Sequence, residues 1–170
     1  MSAEPGRVLA DLGQAVQAYQ AAVHDYDRET ARLLGVNETD LRCLELLLAA
    51  GELSPRQLSA QLGLTSASVT AMLDRLEKAQ LLTRTPHPVD RRKTIVTVTP
   101  EGAQHCYEII GPHIEDSAKE IGTKYSAEQL QLITDFLRTN TTIQTRHTER
   151  LRSLPGPGHA RATRKTSRSA

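Results

Sequence analysis

The side chains from which a catalytic or metal centre could be built are few and scattered. The chain has six histidines (His24, His87, His105, His113, His147 and His159) and two cysteines, Cys43 and Cys106. A zinc site could draw on His24, His105, His113 and nearby carboxylates only if folding gathered them, because no close ligand cluster exists along the chain. No nucleophile, base and acid stand in a recognisable set, no glycine-rich loop could cradle a phosphate, and no paired carboxylates stand out. The expectation is a protein that is not an enzyme and needs no cofactor or metal. Cys43 and Cys106 match no CxxC motif or disulfide framework and read as small core residues in a reducing cytoplasm.

The chemistry that remains is charge and hydroxyl groups on two neighbouring elements. Between Thr65 and Lys93, six basic residues (Arg75, Lys78, Arg84, Arg91, Arg92 and Lys93) face three acids, Asp74, Glu77 and Asp90. Residues 1–149 hold 15 basic and 20 acidic groups, a balance of −5, whereas the chain from Arg150 onward carries six cations and no acid. A basic patch on an acidic body is an address for a polyanion.

The elements that must present this patch follow from capping and periodicity. Ser54-Pro55-Arg56-Gln57 is a capping box with proline at the first helical position, Leu58 and Leu62 form a stripe, and Gly63 ends the helix. Thr65 can cap the next helix, whose Val69, Met72, Leu73 and Leu76 share one face. Ser66, Ala67, Ser68, Thr70, Ala71, Asp74 and Arg75 fall wholly or partly on the other. Short hydroxyl side chains at a helix N-terminus allow close approach to base edges and phosphates. Leu81–Arg84 and Ile95–Val98 then read as two strands of a hairpin whose tip, TPHPVDRRK, can follow a phosphate backbone or place an arginine in a narrow minor groove.

This order, LTSASVTAMLDRLEKAQLLTRTPHPVDRRKTIVTVTPEG, resembles the multiple-antibiotic-resistance regulator (MarR) family of winged helix-turn-helix transcription factors. The L-x-R-L-E-K element at Leu73–Lys78, the D-x-R wing signature at Asp90 and Arg92, and the T-P-E-G start of the following helix carry the resemblance. It covers about residues 6 to 152 in element order, and closely only about Leu53 to Gly102. The resemblance implies that Thr65–Lys78 reads the major groove, that Arg92 enters the minor groove and that Asp90 fixes the wing by charge pairing. Arg75 would be its partner or a phosphate contact. Gln80 stands where the family usually has glycine, so the turn there must tolerate a positive φ or differ locally.

Long amphipathic helices flank this reader. Val8, Leu9, Leu12, Val16, Tyr19, Val23 and Tyr26 recur at helical spacing, followed by Leu33 and Leu34 before Gly35. Asn37 or Thr39 can cap a helix ending at Gly51. Thr99-Pro100 opens a helix whose apolar stripe crosses Pro112, where a kink or weak point is expected, and which Gly122 should close. Ser126-Ala127-Glu128-Gln129 is a second capping box.

The expected fold is mainly α: a winged helix-turn-helix with a small β-hairpin wing and a helical dimerisation region formed by N- and C-terminal helices. The expected organisation is an N-terminal dimerisation helix at 1–36, the DNA-binding region at 37–99, C-terminal dimerisation helices at 100–152 and a disordered basic tail at 153–170. The expected DNA contacts are Thr65, Ser66, Ala67, Ser68, Thr70, Arg75, Arg91, Arg92 and Lys93, with Asp90 orienting the wing. Tyr19, His24, Tyr26 and Tyr107 are candidates for an effector cleft, as the family implies, or for plain packing. The function expected is a cytoplasmic homodimeric repressor bound to near-palindromic double-stranded DNA and released by a small-molecule effector, with no membrane partner. A regulator without effector, an activator and a winged-helix protein-interaction module are the alternatives.

Overall fold

The computed structural model describes residues 5–155, which divide into two compact units after Asp116. Six helices and one hairpin follow in the order α1 (Pro5–Leu34), α2 (Glu38–Ala50), α3 (Pro55–Leu62), α4 (Ser66–Lys78), β1 (Leu82–Pro86), β2 (Thr94–Val98), α5 (Pro100–Lys124) and α6 (Ala127–Ser153). The basic tail expected from Ser153 lies outside the described residues from 156 onward.

Capping explains most boundaries. Asn37, not Thr39, caps α2 by accepting from the Asp40 N–H, and Gly51 ends that helix. Ser54 and Gln57 close the capping box of α3, and Gly63 ends it in the left-handed conformation at φ +67°. Thr65 caps α4 through the Ser68 N–H. Gln80 takes φ +61°, so the turn keeps its usual form and the non-glycine residue absorbs the strain. The Gln80 N–H donates to the Glu77 carbonyl at 2.9 Å and the Leu81 N–H to the Leu76 carbonyl at 3.0 Å, the hydrogen-bond pair of a Schellman ending.

The core of the first unit forms where α2, α3, α4 and the hairpin meet. Leu44, Leu47, Leu58, Val69, Met72, Leu73, Leu76, Leu82 and Val96 are all buried there. Cys43 and Cys106 are free thiols in the same core. Burial pushes the Cys43 thiol up to about 12, with the Asp40 charge adding to the shift, so it is not a thiolate at neutral pH.

The hairpin differs from the sequence reading in extent. The strands pair from Leu82 opposite Val98 to Pro86 opposite Thr94, so β1 starts one residue later and runs two further than Leu81–Arg84, and β2 begins at Thr94. Leu81 belongs to the turn because its N–H is used by the helix ending. Proline is tolerated at the last position of an edge strand. Leu53 adds a third, single-residue rung: its N–H and carbonyl both bond Val96, at 3.1 and 2.8 Å.

α5 runs without interruption through Pro112 and past Gly122 to Lys124. The Tyr125 N–H still bonds the Ile121 carbonyl at 3.1 Å, and the boundary falls where Ser126 and Gln129 form the α6 capping box. Gly102 is needed for close approach: a Cβ there would lie 2.9 Å from both the Leu81 Cα and the Thr99 Oγ1. Of α1, only Thr30, Ala31 and Leu34 are buried, with Leu33 turned outward, and α6 has no buried residue at all.

Candidate nucleic-acid interface

α3, the Gly63 turn and α4 form the helix-turn-helix, and α4 divides cleanly between two faces. Val69, Met72, Leu73 and Leu76 are buried, while Thr65, Ser66, Ala67, Ser68, Thr70, Ala71, Asp74 and Arg75 are exposed. No acid lies in its first turn, which leaves the positive end of the helix dipole uncompensated. The hydroxyls are not equivalent. Ser68 Oγ lies 2.9 Å from Thr65 Oγ1, and Thr70 donates to the Ser66 carbonyl at 3.0 Å. The Ser66 hydroxyl makes no hydrogen bond among the described residues, so it and the Ala67 methyl are the most available groups of that turn.

Two of the six patch cations tie α4 to other elements. Arg75 is not joined to Asp90: its Nη2 reaches Asp40 Oδ1 at 2.7 Å and its Nε reaches Oδ2 at 3.3 Å. Asp40 is buried, with its side chain 4% exposed, and also accepts from Asn37 Nδ2 at 3.0 Å. Hydrogen bonding to that carboxylate raises the Arg75 pKa above its ordinary value. Fork-on-carboxylate geometry ties α4 to the start of α2. Half of the Arg75 side chain still faces solvent.

Arg84 forms the second tie, from β1 back onto α4. Its guanidinium bonds Glu77 and lies 2.7 Å from Asp74, and its backbone N–H donates to Glu77 Oε1 at 3.2 Å. The bond to Arg84 holds the Glu77 carboxyl below its ordinary pKa, and the bonds to Glu77 and Asp74 raise that of Arg84. Sequence reasoning counted Arg84 as part of a polyanion patch, but it is a strut between helix and wing. The signal was there in Asp74 and Glu77, three residues apart on one helix face, yet nothing local to Arg84 placed it beside them.

At the wing tip Arg91, Arg92 and Lys93 are all exposed. Asp90 organises them locally: its carboxylate accepts from the Arg92 N–H at 3.2 Å and lies 3.5 Å from Lys93 Nζ, and its carbonyl accepts from the Lys93 N–H at 2.9 Å.

Among the described residues no hydrogen bond, ion pair or ring contact joins two of the four expected effector residues. Tyr26 packs against His113 with ring centroids 4.5 Å apart, and its hydroxyl is buried without a hydrogen-bond partner among the described residues. Tyr107 is exposed and bonds Glu115 on its own helix at 2.8 Å, Tyr19 is exposed, and His24 lies 3.6 Å from Glu38. An open groove of about 650 Å³ runs instead between the start of α2 and α4, with Asn37, Ser68, Met72 and Arg75 in its walls. None of the four expected residues lines it. Among the described residues no three His, Cys, Asp or Glu are placed to hold a metal ion.

A family profile described as "MarR family" matches residues 36–94, which spans α2 to the wing. The uncharacterised HTH-type transcriptional regulator YcgE of Bacillus subtilis is 32% identical over 127 residues, covering 75% of this chain and 82% of the relative. The chain belongs to the MarR family. Like its relatives it is a transcriptional regulator with a DNA-binding helix-turn-helix, not an enzyme. Among solved structures, this MarR-family chain is similar to the regulator Tm0710 of Thermotoga maritima, with a TM-score of 0.57 at 25% identity, covering 82% of this chain and 98% of that one. It is also similar to NadR in complex with 4-hydroxyphenylacetate, with a TM-score of 0.56 at 28% identity over 74% of this chain and 88% of that one. No helix among the described residues is long and apolar enough to cross a membrane.

Proposed function

We propose that this MarR-family regulator is a cytoplasmic homodimeric repressor that binds a near-palindromic operator and is released by a small aromatic acid. The reading rests first on one observation: an α4 face of small and hydroxyl side chains and a tip of three exposed cations are joined by the Arg84 strut. α4 would enter the major groove with Thr65, Ser66, Ala67, Ser68 and Thr70 at the bases and phosphates, while Arg91, Arg92 and Lys93 would enter or flank the minor groove. Arg75 contributes chiefly by holding α4, with its solvent-facing half within reach of a phosphate.

Dimerisation is supported by the apolar residues left exposed on α1 and α6, among them Val8, Leu9, Leu132, Leu137 and Leu151. Pairing through residues 1–36 and 100–152 would cover them and set two reading helices about one DNA turn apart. An effector is supported by the Tyr26 hydroxyl, which is buried without a hydrogen-bond partner among the described residues on a ring tilted against that of His113, and by the phenolic acid bound to NadR. A ligand that favours a dimer with misplaced reading helices weakens DNA binding by linkage.

The test is release of the full chain from a duplex selected on it, titrated with aromatic carboxylic acids beginning with 4-hydroxyphenylacetate. The expected outcome is release at a concentration that rises roughly five- to tenfold in Tyr26→Phe, the loss of one hydrogen bond. A duplex that stays bound with every acid, or equal release from Tyr26→Phe, contradicts the effector reading.

A further inference from the structure

His87 stands where β1 gives way to the wing tip, and it is half-buried. Its backbone N–H closes the loop by donating to the Lys93 carbonyl at 2.8 Å. Its ring reaches forward past Pro88, which has no N–H to offer, and Nδ1 accepts the backbone N–H groups of Val89 and Asp90 at 3.2 Å each. Asp90 then accepts from Arg92 and Lys93. The bonds form a relay from the imidazole to the turn that carries the three cations.

An imidazole nitrogen can accept only while it carries no proton, so this arrangement requires Nδ1 to be bare and the ring proton to sit on Nε2. In that form the ring orders the tip through these bonds rather than through charge. The tip also has no apolar anchor: Val89 is 89% exposed and points to solvent. Without the imidazole the segment would have to be ordered at the moment of binding, at a cost in conformational entropy.

We propose that His87 is a positioning residue of the wing: through Nδ1 it pre-orders the turn that presents Arg91, Arg92 and Lys93 to a DNA groove. The proposal rests on the wing being a DNA contact. It distinguishes His87 from the arginines in a measurable way. Neutralising Arg92 removes a phosphate-neutralising charge and lowers the slope of log affinity against log salt by about one. Removing a neutral positioning group lowers affinity and leaves that slope alone.

The test uses the full chain and a duplex selected from random-sequence DNA on the wild-type protein, titrated over a salt series. His87→Ala is expected to bind about five-fold more weakly, the equivalent of ~1 kcal/mol at 1.4 kcal/mol per tenfold, with the wild-type salt slope and thermal midpoint. Asparagine can accept from the N–H two residues on in an Asx-turn, so His87→Asn should return to within about two-fold of wild type. In an Arg92→Gln background the His87→Ala loss should shrink, because there is less for the ordered turn to present. Nitrogen-15 spectra of the wild-type imidazole should show the Nε2–H tautomer.

Wild-type affinity in His87→Ala, or an Asn variant as weak as the Ala variant, overturns the proposal. So does a salt slope that falls in His87→Ala, which would make the ring a direct phosphate contact. An Arg92→Gln variant that binds like wild type with an unchanged slope overturns the wing reading, and the role of His87 with it. An Arg92→Gln defect beside a silent His87→Ala overturns only the role of His87.

Discussion

Gln80 holds the left-handed conformation at the end of α4, with backbone hydrogen bonds fixing it on both sides. Its own N–H and that of Leu81 are used by the helix ending, and its carbonyl accepts from Thr99 Oγ1 at 2.7 Å. Thr99 in turn caps α5 through the Gly102 N–H at 2.9 Å. An L-residue at positive φ costs about 1–2 kcal/mol, part of which glycine gives back through the entropy of the unfolded chain. Gln80→Gly should therefore raise stability by about 0.5–1 kcal/mol in a urea titration, with an unchanged m-value. A lower midpoint would mean that the Gln80 side chain makes a contribution larger than the strain. The position was legible in sequence as a departure from the family's glycine. Which way the conflict would be resolved was not, because it depends on the Thr99 bond 19 residues away.

At the scale of elements, α4 is held from two sides within a single turn. Arg75 ties it to α2 through Asp40, and Asp74 with Glu77 ties it to β1 through Arg84. The second tie is pH-dependent. Glu77 has its folded pKa lowered from its ordinary 4.5, chiefly by the Arg84 bond, so its contribution is fully present above the unfolded value and is lost as pH falls through the folded one. The stability difference between wild type and Glu77→Gln should accordingly be constant near neutrality and close below pH 4.5. A gap that persists in acid would assign the effect of the substitution to packing. The helices themselves were readable from Ser54, Thr65 and Ser126 because caps act within three residues. The strand ends and both ties were not, since they depend on partners 7 to 35 residues apart, such as Arg84 with Glu77 and Arg75 with Asp40. Pro112 is a local breaker: α5 continues past it, but the missing N–H removes one rung of the helix ladder there.

For the whole molecule, the unpartnered surfaces define what is still required. α6 contributes 27 residues and buries none, and Leu9, Leu132 and Leu151 are each about 70% exposed. A monomer would leave those residues in water, whereas a symmetric pair would cover them and duplicate the reader. The amphipathic stripes of α1 and α6 were plain in the sequence, because periodicity records which face is apolar. It does not record what covers that face, and so the partner is inferred from the family. The most direct test of the central claim is selection of DNA fragments on the purified full chain, followed by footprinting of the winning sequence. The expected winner is an inverted repeat with half-site centres about 10–10.5 base pairs apart, protected symmetrically. No enrichment, or a single asymmetric site protected by one subunit, would contradict it.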